Sequence, residues 1–250
     1  MSPFRTVTPV NQALTPEGVQ VELPKMRPQA VALSPDGRLL VTSGKTSELV
    51  VIDPATGTIR QRVALPSSEQ KEPMPEVVSA NILKPDGKGQ LSYTGLVFSP
   101  DGKRIYLSNV NGNIKIFNVD SGGAVTGSFS MPLPPSDAPR RKDEIPAGLA
   151  LSSEGKRLYA VLNLSNRLAE MDAVSGKIFR LFDVGVAPYD VKVVGSKAYV
   201  SNWGGRRPMQ NELTGPAGRG TRVKVDPGRH IASEGSVSVV DLDSGKVSAE

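Results

Sequence analysis

The sequence predicts an all-β chain of repeated four-stranded antiparallel units, and three observations carry that prediction. One pattern recurs: Val31-Ala-Leu-Ser-Pro-Asp-Gly37, Leu96-Val-Phe-Ser-Pro-Asp-Gly102 and Leu149-Ala-Leu-Ser-Ser-Glu-Gly155, each followed by a second apolar run. Its spacing is fixed: Gly57 follows Gly37 by 20 residues, Gly122 follows Gly102 by 20, and Gly176 follows Gly155 by 21. The 250 residues hold 25 glycines and 21 prolines, which suits many short strands joined by tight turns. Four short strands in about 40 residues make one blade of a β-propeller.

The elements follow in order. Residues 1–26 form an N-terminal segment in which Gly18 ends a turn and Val19 to Leu23 alternate before Pro24. The same order closes the first repeat, from Ile52-Asp-Pro-Ala-Thr-Gly57 to Leu65-Pro66, so Val19 to Leu23 reads as a lone outer strand. The first blade covers residues 27–66, with runs at Val31 to Leu33, Leu39 to Thr42, Glu48 to Ile52 and Ile59 to Leu65. An insert at 67–92 follows; Val77 to Leu83 and Gln90 to Tyr93 read as a hairpin or irregular loop. The second blade covers 93–132, with Asn118 in the place of Asp53. A proline-rich insert at 133–146 precedes the third blade, 147–184. The fourth blade covers 187–250, interrupted at 203–235 by the longest insert. A lone fourth strand at the start and a short one after Gly245 read as an incomplete ring, which predicts exposed sheet faces and association.

Composition excludes several classes. With no cysteine there are no disulfides and no thiolate metal sites. No apolar run approaches a membrane span, and no signal-peptide core stands between Met1 and Asn11. A net charge of +5 suits a generic soluble surface and also anionic partners.

Ser-Pro-Asp-Gly, Tyr199-Val-Ser-Asn202 and Val51-Ile-Asp-Pro-Ala-Thr-Gly57 together resemble the YVTN-type β-propeller repeat over about four-fifths of the chain. The resemblance implies rings of about seven blades, in a family mostly bacterial or archaeal and mostly exported. A periplasmic or extracellular location is the matching expectation. Tyr199 to Pro208, with its long insert, is also similar to propellers fused to an alkaline-phosphatase-like phosphoesterase domain. Such a domain would lie beyond Glu250, and no catalytic residue carries over.

The search for chemistry turns up little. No nucleophile elbow, zinc-protease helix or phosphate loop is present, so no catalytic residue, metal set or cofactor is assigned. His230 is the single histidine and reads as an exposed loop residue. Asp36, Asp53, Asp86, Asp101, Asp172 and Asp241 recur at turn positions and read as turn formers rather than metal ligands. The insert at 203–235 is the best functional candidate. Asn202, Trp203, Arg206, Arg207, Arg222, Lys224 and Arg229 form the expected binding set: arginines suit carboxylate or phosphate, and tryptophan offers a stacking face. The leading expectation is a non-catalytic binding or scaffold module that docks a protein partner or adjoining domain. The alternatives are a metal-dependent lactonase-like hydrolase, a phosphoesterase fusion, and anion or nucleic-acid binding through the basic insert.

Overall fold

The alternating runs become strands wherever the sequence sets a tight turn between them. The computed structural model describes residues 6–7, 9–14, 17–73 and 84–249. A short antiparallel pair, β1 (Thr6–Val7) and β2 (Ala13–Leu14), precedes the repeats. Four four-stranded antiparallel sheets follow. The first is β3 (Pro28–Leu33), β4 (Leu40–Gly44), β5 (Glu48–Ile52) and β6 (Ile59–Ala64). The second is β7 (Leu91–Phe98), β8 (Arg104–Asn109), β9 (Asn113–Val119) and β10 (Val125–Pro132). The third is β11 (Pro146–Leu151), β12 (Arg157–Leu162), β13 (Arg167–Asp172) and β14 (Ile178–Asp183). In the fourth, β15 (Pro188–Val194) and β16 (Lys197–Asn202) are separated in sequence from β19 (Ser236–Asp241) and β20 (Val247–Ala249) by the hairpin β17 (Thr214–Gly218) and β18 (Thr221–Lys224). Strand order within each blade is sequence order, and the four sheets form the blades of a β-propeller with no helix among the described residues.

The turn chemistry explains the repeats. Ser34 Oγ donates to Asp36 Oδ1 at 2.6 Å and Asp36 accepts the Arg38 N–H at 3.1 Å; Ser99 and Asp101 repeat this. Gly37 and Gly102 take φ of 73° and 72°, which glycine adopts without steric cost. At the second turn Asp53, Asp172 and Asp241 accept N–H groups two or three residues ahead. In the second blade the turn acid is Asp120, not Asn118. Asp120 accepts from Gly122 and Ala124, and Gly123 rather than Gly122 has the left-handed φ. Equal glycine spacing conceals a seven-residue β9 against a five-residue β5, offset by a shorter turn.

Two further expectations need correction. Residues 91–93 open the inner strand β7 and are not part of the insert; Val77 to Leu83 lie outside the described residues. Val19 to Leu23 form no strand. Their place is nonetheless that of an outer strand. A Cβ on Gly57 would meet Val19 and Val21, as one on Gly176 would meet Met131 of β10 and one on Gly245 would approach Phe182 of β14. No strand of the described residues lies beside them to supply a ladder.

Cores form where successive blades meet face to face. Val41, Leu49 and Val51 pack with Leu96, Ile105 and Phe117; Tyr106 and Ile116 with Leu149 and Met171; Tyr159 and Val161 with Val191 and Val240. Each such side chain contributes about 1.5–3 kcal/mol by leaving water. The repeat makes the seams comparable. Leu96, Leu149 and Val191 are buried against the preceding blade, but their counterpart Val31 is 61% exposed. Tyr106 and Tyr159 are buried against the following blade, whereas Tyr199 is 38% exposed. The outward faces of the first and fourth sheets therefore carry seam residues without a seam.

Candidate functional site

All three insertions emerge at one end of the blades, opposite the Ser-Pro-Asp-Gly turns. The end of the first insert bonds the β8–β9 turn: the Gln90 N–H donates to Asn109 Oδ1 at 3.0 Å and Asn111 Nδ2 donates to the Lys88 carbonyl at 3.2 Å. The second insert reaches the same turn through Arg141, which donates to the Val110 carbonyl. It also reaches the β12–β13 turn, where buried Glu144 accepts the Leu164 N–H at 2.8 Å and the Ser165 hydroxyl. The third insert meets that turn through Arg207, bonded to the carbonyls of Asn166 and Val184.

The first insert is locked by an ion pair. Lys115 of β9 is fully buried, and its Nζ lies 2.8 Å from Asp86 Oδ2, 2.8 Å from the Pro66 carbonyl and 2.9 Å from Ser68 Oγ. Burial opposes the Asp86 carboxylate, but bonds from Lys115, Ser68 and the Lys88 N–H outweigh it and hold its pKa below the ordinary value. Burial lowers the Lys115 pKa, with Asp86 acting against it.

The expected binding set divides in two. Most of its cations are engaged within the fold. Arg206 forms a two-pronged pair with Glu212, whose pKa falls to about 2, first through the Arg206 hydrogen bond and then through the Met209 N–H. Arg207 pairs with Asp183 at 3.0 Å. Arg222 braces its own hairpin by donating to Thr214 Oγ1 and the Thr214 carbonyl. Lys224 Nζ lies 2.6 Å from Glu234 and 3.6 Å from Glu212. Arg229 is exposed in the turn headed by Asp226, beside an exposed His230 with φ of 57°. Asn202 is buried; its Nδ2 donates to Ser236 and Ser238, and its Oδ1 has no hydrogen-bond partner among the described residues. Gly215 to Gly220, glycine-rich in sequence, runs from β17 into the hairpin turn, where Arg219 and Gly220 are both at positive φ.

Trp203 joins a different group. Its ring stacks on Tyr189 at 4.1 Å with an interplanar angle of 15°, and Tyr93 meets both edge-on, at 5.3 Å from Tyr189 and 6.3 Å from Trp203. Trp203 remains 62% exposed, so the stack presents an open aromatic face. Inner-strand kinks bring these rings together. The register of β3, β7, β11 and β15 slips at the insertion end of each strand, and Tyr93 sits at its slip with φ of 52°. Gly95 lets β7 approach: a Cβ there would fall 2.1 Å from the Ala147 carbonyl of the next blade. Thr94 then reaches Asp190 Oδ1 of β15 at 3.3 Å. The Tyr93 pKa is raised, chiefly by burial and then by Tyr189, with Arg141 opposing.

A cleft of about 290 Å³ runs beside Tyr93 between the first two inner strands, lined by Arg27, Gln29, Lys45, Gln90, Val110 and Ile145. A larger cavity of about 590 Å³ opens on the turn face, but its acids Asp36, Asp101 and Asp120 are bonded to their own turns. Among the described residues no three histidine, aspartate or glutamate side chains converge as a metal site would require. Sequence reasoning missed Tyr93, Tyr189, Arg27 and Lys45. They are scattered over the chain and meet only through blade packing.

These features define a β-propeller with an elaborated face. Among solved structures the chain is similar to Kuenenia stuttgartiensis hydrazine synthase (TM-score 0.58, 15% identity, 93% of this chain and 51% of that one). It is also similar to the RRP9 WD40 repeats (0.60, 10%, 92% and 52%) and to BamB from Moraxella catarrhalis (0.51, 14%, 89% and 49%). The chain thus spans about half the length of these structures. At such identity the likeness establishes the fold alone. No protein-family model and no curated protein sequence matches the chain.

Proposed function

We propose that the chain is a non-catalytic binding module that holds a protein partner against its insertion-bearing face. The observation that carries this reading is the convergence of all three inserts with an exposed Tyr–Trp stack at the same end of the blades. Aromatic residues held rigid yet accessible are the usual anchors of protein interfaces. The cations of the long insert are largely occupied by Glu212, Asp183 and Glu234, which favours docking over capture of a polyanion there. The YVTN-type repeat, an exported location and a place within a larger protein belong to the same proposal and rest on the repeat motifs. A photo-crosslinking residue at Gln29, in the cleft, should give discrete adducts in the native host. The same residue at Arg38, on the turn face, should give none. Adducts from Arg38 alone, or from neither position, would overturn the reading.

A further inference from the structure

We propose that the cleft and the aromatic stack together hold an acidic peptide segment, its carboxylates on Arg27 and Lys45 and an aromatic side chain on Trp203. This inference rests on the binding-module reading and adds the chemistry of the partner.

The charge of the cleft points to an anion. Its lining holds Arg27 and Lys45 and no carboxylate, and neither side chain has an ion pair among the described residues. Arg141, which donates to the carbonyl of the lining residue Val110, adds a third positive charge at the edge of the cleft. Acids around the cleft are committed elsewhere. Glu144 is turned into the β12–β13 turn, and Asp190, beyond Tyr93, accepts from Thr94. Other polar groups suit a peptide backbone. Gln29 and Gln90 line the cleft, and each carboxamide offers both a donor and an acceptor. Leu91, Val110 and Ile145 give it an apolar floor.

Size and charge decide between a peptide and a nucleic acid. About 290 Å³ accommodates a few side chains, not a run of nucleotides. Single-strand binding also needs a continuous basic track, and the basic insert has given most of its charge to internal pairs. Tyr93 lines the cleft and meets Trp203 edge-on at 6.3 Å between ring centres, so the cleft and the stack adjoin. The favoured segment therefore carries adjacent acidic residues with an aromatic residue close by in sequence.

Trp203 is the chain's only tryptophan, so its emission reports on the site directly. The probes are the blocked peptides Glu-Glu-Ser-Phe-Ser and Lys-Lys-Ser-Phe-Ser and a ten-residue oligothymidylate (about the span of one single-strand site). The acidic peptide should change the emission saturably, and binding should weaken with added salt. The R27A/K45A variant should lose about tenfold or more in affinity, with R38A/R60A on the turn face unchanged. Equal binding of the basic peptide, or indifference to R27A/K45A, would overturn the proposal. Tighter binding of the oligonucleotide, lost in R27A/K45A, would overturn it in favour of a polyanion. If no peptide binds while crosslinks at Gln29 persist, the acidic specificity fails and the binding module stands. If both are absent, both fail.

Discussion

Lys115 and Asp86 show how much of this surface depends on single charges. Replacing Asp86 by Asn leaves a buried ammonium with only neutral acceptors, which costs about 3 kcal/mol. Urea denaturation should register that loss, and the K115M/D86N double variant should recover most of it. Glu212 gives a pH signature. Its pKa is depressed in the fold, from 4.5 to about 2, so its contribution to stability is complete above the unfolded value and is lost as pH falls towards 2. Melting temperature should therefore decline between about pH 4.5 and 2, and less steeply in E212Q. Apart from Asp86, which also reaches Lys115 of β9, the turn aspartates were legible from sequence because each serves its own neighbours. The partners of Arg206 and Arg207 were not, since the sequence shows the charges but not which acid folds back to meet them.

At the scale of elements, the strands could be read from alternation and turn chemistry, and the kinks could not. Tyr93 looked like loop because its left-handed φ interrupts the period that would have marked β7. The hairpin at Thr214 to Lys224 turns at Gly218-Arg219-Gly220, all three at positive φ, inside an insert whose strands the sequence did not mark. Gly95 is the element-scale test. Gly95→Ala places a methyl against the Ala147 carbonyl and Ser108 Oγ, and should cost about 3 kcal/mol. It should also shift the emission of Trp203, because β7 carries Tyr93 into the stack. An unchanged emission with lowered stability would separate the kink from the site.

For the whole molecule, the propeller class was legible because one motif recurs, and a repeat reports architecture more directly than any single segment. The candidate site was half legible: Trp203 could be named, but its companions come from other blades. The exposed seam residues have a measurable consequence. Val31 on the first sheet and Tyr199 and Val237 on the fourth present apolar sheet faces, so the apparent molar mass from light scattering should rise with concentration. The V31K/V237K variant should suppress that rise.

The same exposed seams make the molecule a short row of coupled units rather than a uniform solid. The second and third blades are held from both sides, the first and fourth from one. In a row of this kind opening begins at the ends, and the interior units wait for a neighbour to leave. Amide hydrogens of β3–β6 and of β19–β20 should accordingly exchange before those of β8, β9, β12 and β13. Tyr93 belongs to an interior blade and Trp203 to a terminal one, so loosening of the fourth blade would dismantle the stack while the cleft keeps its walls.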